Sequence, residues 1–402
     1  MPTSQMQRLT HRALLPGVLA ALLVGIAATP SHAESIRSQQ WHLTAMKAEE
    51  MWQVTKGEGV TVAVIDSGVD DTNPDLRGRV LEGKDFALEA AGDQHTDSSG
   101  HGTGMAGLIA GTGESSGGDG AFGLAPGARI LPVRVPLKAT VFPEAIRYAA
   151  DAGAKVINIS MSVAGGAGGE EEGEAVRYAL SKGALIFAGV GNDGDSSLVS
   201  PAATPGVVAV GSIGQDLRKT PESQYGPQVD LTAPGVDMVH ACGGKTGLCK
   251  TRGTSDATAI ASASAALIWS KHPEWTNNQV LRVMLNTAAG PTSGAKRNDY
   301  VGYGVVRPRI ALKTPGDPGP ADEYPLPDLA AAEPKSPSPK ASDSAGTKSE
   351  EDKQSTAVPA RDDDGDTALW ITLGVGAAAL VGAAIAISVV RARRRNTAFR
   401  GQ

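Results

Sequence analysis

Cysteine is scarce in this chain of 402 residues, with Cys242 and Cys249 the only two. Too few His or further Cys lie close to them in sequence to complete a zinc site. Aromatic residues make up 4%. A basic excess is missing as well: the net charge is −6, and Lys and Arg do not cluster before the extreme C-terminus. That argues against nucleic-acid binding, whose phosphate term needs such a cluster. What is plentiful is glycine, 50 residues in all, which suits a compact fold with many tight turns rather than a fibrous or disordered chain.

The two ends read as addresses. Arg8, His11 and Arg12 precede an apolar run from Ala13 to Ala28, and Ser31-His32-Ala33 ends in small residues. This is the pattern of a secretory signal over residues 1–33, with an N-terminal membrane anchor as the alternative; Pro16 and the shortness of the run weigh against the anchor. From residue 313 to 366 Pro, Ala, Ser and charged residues dominate, a composition expected to form a disordered stalk. The segment 367–390 follows, and Leu369 to Val390 carries no charge. At about 1.5 Å per residue it spans the roughly 30 Å hydrocarbon core. Asp362–Asp366 flanks it on one side and Arg391, Arg393, Arg394 and Arg395 on the other. A buried core helix, the alternative, fits such flanks poorly. Positive charge stays cytoplasmic, so the basic tail 391–402 is placed inside and residues 34–366 outside the cell membrane, as a single-pass protein. Gly374, Ala378, Gly382 and Ala386 recur every four residues, a spacing that lets another membrane helix approach but also arises by chance in a Gly/Ala-rich span.

An exported chain meets an oxidising environment, so a Cys242–Cys249 disulfide is the leading reading. A metal pair or two free thiols are the alternatives. Closing so short a loop stabilises by roughly 2–3 kcal/mol in the chain-entropy model.

Between the ends, residues 34–312 alternate apolar runs with helical periodicity. Val60–Ile65, Lys155–Ser160, Ala184–Gly189 and Val207–Val210 predict strands buried on both faces. Gly104–Ala110, Pro143–Ala152 and Gly173–Lys182 predict helices, and GGAGGEEEGE (165–174) a mobile surface loop. Alternating strand and helix implies an α/β fold with a mostly parallel sheet covered by helices, whose ligands sit at the carboxyl ends of the strands.

Three motifs fall there. Asp66-Ser67-Gly68 follows the first apolar run; a carboxylate at a buried strand end can orient a histidine, though the same tripeptide is an ordinary turn. His101-Gly102-Thr103-Gly104 opens a helix, with glycines that let backbone and substrate approach the imidazole. Gly253-Thr254-Ser255-Asp256-Ala257 opens a long apolar helix. A hydroxyl there has the N-terminal N–H groups beside it to favour an oxyanion, and equally it could merely cap the helix. Gly191-Asn192 ends another strand and offers an amide donor, or a simple turn.

The conjunction resembles the subtilisin-like serine protease superfamily over roughly residues 40–311, with Asp, His and Ser in subtilisin order. The signal, Pro-rich stalk, single C-terminal span and basic tail resemble the mycosins, membrane proteases associated with type VII secretion. The resemblance implies a three-layer fold and a serine endopeptidase. Asp66, His101 and Ser255 become its triad and Asn192 its oxyanion donor. Ser160, Met161 and Ser162 become a substrate-binding strand, and Gly189, Val190 and Gly191 the facing wall. The substrate implied is an extended, exported polypeptide, with secretion-complex membrane proteins as partners. No cofactor and no metal is expected: Asp70, Asp71 and Asp75 form an acidic patch without the spacing of a calcium loop.

The sequence departs from the family at three places. Ser162 stands where a glycine is usual, which narrows or polarises the pocket. Asp256 stands where Met or Phe is usual, where its charge suits the helix dipole and is expected to face the leaving-group side and discourage acidic substrates. The residues between Ala33 and Asp66 are too few for a large folding prodomain. A scaffold that braces a secretion complex with a protease fold is the competing reading; a G-x-S-x-G elbow, expected of an esterase, is absent around Ser255.

Overall fold

Seven parallel strands carry the domain in the computed structural model, which describes residues 34–332 apart from 98, 137, 167 and 244–246. They are β1 (Thr61–Asp66), β2 (Lys84–Asp85), β3 (Arg129–Arg134), β4 (Val156–Ile159), β6 (Leu185–Gly189), β8 (Val208–Ile213) and β9 (Leu231–Pro234). Their order is β2-β3-β1-β4-β6-β8-β9. Two antiparallel pairs stand apart, β5 (Val163–Ala164) with β7 (Val199–Ser200) and β10 (Met238–Ala241) with β11 (Leu248–Thr251). The four apolar runs read as strands all fall in the sheet.

Pleating divides each strand between two cores. Val62 and Val64 of β1, with Leu185 and Phe187 of β6, pack among residues of α4 (His101–Ala110), α7 (Thr254–Lys271) and α8 (Asn277–Thr287). Ala63, Ile65, Ile186 and Ala188 point the other way, towards α5 (Phe142–Asp151) and α6 (Glu170–Ser181). The result is the expected three-layer α/β architecture. Helix α7 is buried from Asp256 through Trp269. Its Ala/Ser composition lets the sheet approach closely on one side and α4, α8 and α9 (Pro308–Lys313) on the other. Short helices α1 (Ile36–Gln39), α2 (Trp41–Met46) and α3 (Ala48–Trp52) dock on this layer. Gln40 donates to the carbonyls of Phe122 and Val239, at 2.7 and 3.0 Å.

Two expectations change. Residues 170–174, read as part of a surface loop, form the first turn of α6, where Glu170, Glu171 and Glu172 suit the positive helix end. Glu172 is buried and accepts hydrogen bonds from the hydroxyls of Ser200, at 2.6 Å, and Thr204. The chain also stays on the body beyond residue 313. Arg282 donates to the carbonyls of Pro318, Pro320 and Glu323 at 2.9, 2.8 and 2.6 Å. Leu326 is buried. The Tyr324 hydroxyl donates to the Gly206 carbonyl (2.9 Å), and Asp328, in α10 (Pro327–Ala332), accepts from the Gly206 N–H (2.8 Å). Backbone carbonyls take up a proline-rich segment that has little apolar surface to bury. Residues 1–33 and 333–402, which hold the signal, most of the expected stalk, the membrane span and the tail, lie outside the described residues. Among the described residues no helix is long and apolar enough to cross a membrane.

Candidate active site

Neighbouring strands β1, β4 and β6 bring the motifs to one edge. Asp66 is the last residue of β1, Ser160 follows β4, and Gly189 ends β6. Asp66 is buried, and its Oδ1 lies 2.8 Å from His101 Nδ1. A carboxylate only accepts here, so Nδ1 carries the hydrogen and Nε2 is left as the basic nitrogen. His101 is the first residue of α4, and its side chain is 38% exposed, so one edge of the ring meets solvent. The Asp66 charge is the largest influence on the imidazole, which is pushed up to about 9. Burial opposes this; the hydrogen bond to Asp66 and the charges of Asp256 and Asp97 add to it. Gly102 is required by packing: a Cβ there would lie 2.1 Å from the Gly68 carbonyl oxygen.

Ser255 lies in the first turn of α7, half-buried. Its hydroxyl donates to the Ser160 carbonyl at 2.9 Å, and the Ser160 hydroxyl donates to the Ser255 carbonyl at 3.0 Å. This reciprocal pair holds the first turn of α7 to the residue that follows β4. The hydroxyl is thus turned to Ser160, and no hydrogen bond joins it to His101 among the described residues. Helices α4 and α7 pack side by side, and hydrogen bonds of an unliganded site commonly form only with substrate. Asn192 is exposed, and its Oδ1 accepts from the Thr254 N–H (2.9 Å) and hydroxyl (3.2 Å). With the oxygen so engaged, the Nδ2 amide is the end free to donate. Gly253, at φ +143°, gives the tight entry to α7 beside it.

The other residues expected at the site follow β4 and end β6. Met161 and Ser162 are half-buried and lead into β5, which pairs with β7; Gly189, Val190 and Gly191 are buried opposite. Gly191 accepts a hydrogen bond from the Gln224 N–H at 3.1 Å. Cys242 and Cys249 form the disulfide, Cα to Cα 5.7 Å, at the mouth of the β10–β11 hairpin. Of the acidic patch, Asp75 is buried and accepts from the N–H groups of Ser115 and Ala121, at 2.7 and 2.9 Å. No group of three or more His, Cys, Asp or Glu poised for a metal occurs among the described residues.

Asp256 does not face the cleft. It is 1% exposed, directed inward to the Thr251 hydroxyl, because the position after Ser255 on the helix turns to the β10–β11 hairpin. Sequence reasoning also missed two supporting residues. Asp97 Oδ2 accepts from the N–H and hydroxyl of Thr103 (2.8 and 2.7 Å), and Oδ1 from the Ser67 hydroxyl (2.8 Å) and Gly100 N–H (2.9 Å). Burial works against its charge, yet these bonds hold its carboxyl below the usual range. Asn158, in the interior of β4, donates to the Ser160 hydroxyl and accepts from that of Ser262, both at 3.0 Å. An acid four residues before His101 and an amide inside an apolar strand were the signals.

A parallel α/β sheet with these groups at its carboxyl edge, in the order Asp, His, Ser, defines the class: a subtilisin-like serine endopeptidase. The chain belongs to the Subtilase family, which it matches over residues 57–304. It is 39% identical over 261 residues to the thermophilic serine proteinase of Bacillus sp. (strain AK1), covering 63% of this chain and 62% of that protein. With thermitase of Thermoactinomyces vulgaris it shares 34% over 262 residues, covering 64% of this chain and 90% of thermitase. Among solved structures, MycP1 from Mycobacterium smegmatis aligns with a TM-score of 0.62 at 29% identity, covering 73% of this chain and 88% of that one. MycP3 protease from the type VII (ESX-3) secretion system aligns at 0.59 and 32%, covering 67% and 87%. The likeness to the mycosins suggested by the sequence is borne out by these neighbours.

Proposed function

We propose that this peptidase cleaves exported polypeptides at the outer face of the cell membrane, using Asp66, His101 and Ser255, in the setting of a type VII secretion system. The observation that carries the triad is the 2.8 Å contact between Asp66 and His101 Nδ1, beside a serine at a helix N-terminus. Ser255 Oγ attacks the scissile carbonyl while His101 Nε2 takes its proton. Asp66 holds the tautomer and stabilises the imidazolium. The Asn192 amide and the Ser255 N–H, one of the helix's unpaired donors, receive the oxyanion. His101 then gives the proton to the leaving amine, and water completes hydrolysis of the acyl-enzyme by the same exchange in reverse.

Ser160–Ser162 and Gly189–Gly191 form the edges against which an extended peptide pairs. Secretion by the signal over 1–33, anchorage through Leu369–Val390 and a cytoplasmic tail complete the proposal. Its support is compositional, from the apolar span and its flanking charges. Labelling of full-length protein with a fluorophosphonate tests the catalytic part. Wild type is expected to label and Ser255→Ala not to. An intact wild type that does not label leaves a scaffold using a protease fold. Protease accessibility in intact cells of one tag inserted after Ala33 and another at the C-terminus tests the topology, with only the C-terminal tag expected to be protected.

A further inference from the structure

Directly behind the nucleophile lies a buried polar chain that the hydrolysis scheme does not use. His240 (β10) and Asp256 (α7) are each 1% exposed. His240 Nδ1 is 2.8 Å from the Ala241 carbonyl, and Nε2 is 2.7 Å from the Thr251 hydroxyl oxygen. That hydroxyl is in turn hydrogen-bonded to Asp256 Oδ1, which lies 3.7 Å from His240 Nε2.

Hydrogen counting restricts what this chain can be. A carbonyl only accepts, so Nδ1 carries a hydrogen. The Thr251 hydroxyl has one hydrogen to give. If it goes to a charged Asp256, the oxygen accepts from Nε2–H of a charged His240. If it goes to a neutral Nε2, the oxygen accepts from a protonated Asp256. The two arrangements hold the same number of protons and differ by two short shifts through the threonine oxygen. Both are neutral overall, with every group along the chain paired. Removing one proton leaves a net charge of −1, with one hydroxyl hydrogen to serve both Oδ1 and Nε2. Burial pushes the Asp256 carboxyl up to about 6, and burial pushes the His240 ring down to about 4, so the proton resides at the carboxyl end.

The chain adjoins the catalytic groups. Asp256 follows Ser255 directly. The His240 ring rests on α4, where a Cβ on Gly104 would come within 2.6 Å of Cε1. The charged and titratable groups facing it are His101 from α4, with Asp66 of β1 and Asp97 of the preceding loop beside His101. From α2 comes His42, pushed down to about 3 chiefly by burial and therefore neutral, with Arg37 beyond it.

We propose that His240, Thr251 and Asp256 form a buried relay with one exchangeable proton, positioning residues that set the charge behind Ser255 and so the pH at which His101 is free to act as base. With its proton the relay is silent. Without it, its negative charge favours the imidazolium form of His101 and opposes an oxyanion at Ser255. A methionine, usual in the family after the nucleophile, fills space but carries no proton.

The inference rests on the triad proposed above, and the test separates the two. The rate of fluorophosphonate labelling is measured against pH for full-length wild type, Asp256→Asn and Asp256→Met, with Ser255→Ala as control. Removing the charge is expected to move the acid limb of both neutral variants to lower pH by about half a unit or more, the scale of a nearby charge acting through a partly buried site. Below the wild-type midpoint the variants then label on the order of three-fold faster relative to their plateaus. The methionine variant keeps the test alive if the asparagine one does not fold. A purely structural role lowers labelling at every pH and leaves the midpoint in place. A wild type that labels, with variant midpoints within about 0.2 unit of it, overturns the relay alone. A wild type that does not label overturns the triad and the relay with it.

Discussion

The rim of the site and the layer behind it treat the same side chain in opposite ways. On the rim, His101 keeps an edge in solvent and a carboxylate on Nδ1, and its imidazole is pushed up to about 9. Behind it, His42 and His240 are buried, and burial is the main reason they are pushed down to about 3 and about 4. His42 has no hydrogen-bond partner on either ring nitrogen among the described residues. Desolvation acts on all three rings, and an adjacent anion outweighs it only for His101. Chemistry belongs to the rim, and stability to the layer behind, if substitutions in the two regions have separable effects.

Ser255→Ala breaks the comparison hardest. A loss on the order of 10⁶ in kcat is expected, the scale known for subtilisin, a member of this family. His101→Ala should match it in rate. It also leaves the buried Asp66 carboxylate without its partner and is expected to lower Tm, whereas thermal unfolding of Ser255→Ala should barely change. Peptidase assays alongside calorimetry check both halves. Asn192→Ala is expected to cost about 10²–10³ in kcat with little change in KM, on the same family scale. A change confined to KM would place the amide in ground-state binding instead.

In the layer behind, Cys242→Ser with Cys249→Ser opens the hairpin that supports His240 and Thr251. A loss of roughly 2–3 kcal/mol is expected from the released loop, read as a lower Tm. Labelling of the folded fraction should persist.

The remaining difference is in the dependence of stability on pH, where the two regions have opposite signs. Unfolded histidine titrates near 6.5. His42 resists its proton until about 3 when folded, so the unfolded chain binds more protons between those values and stability falls as pH falls through that window. His101 binds its proton more tightly when folded. Its contribution is full below 6.5 and is lost as pH rises towards 9. The Tm of His42→Leu measured from pH 7 to pH 4 should decline less than that of wild type. An unchanged slope would assign the acid sensitivity to other groups.

What was legible in the sequence were the groups fixed by local pattern. Asp66, His101 and Ser255 each sit where an apolar run stops or a helix starts, and the run-and-turn pattern alone placed them at one edge of a parallel sheet. Asp97 was not read because its partners, Ser67 and Thr103, come from both sides of a loop whose path no short window specifies. Asp256 was assigned to the wrong surroundings for a similar reason. Its direction depends on β10 and β11 folding over α7, a contact between elements rather than a property of the helix turn. The direction of the Ser255 hydroxyl is a side-chain torsion, which sequence spacing does not encode. The stalk boundary slipped for the converse reason: composition marked 313–332 as unable to form a core, and Arg282 holds it by backbone carbonyls instead.

That last arrangement has a mechanical side. Tension applied to the chain beyond residue 332 first meets Asp328, Tyr324 and the three carbonyls gripped by Arg282, all outside the sheet. These contacts act as a strain relief, peeling under load before any force reaches the strands that hold the proposed triad. In an optical trap pulled from the C-terminus, a short low-force extension ahead of the main rip is the signature expected.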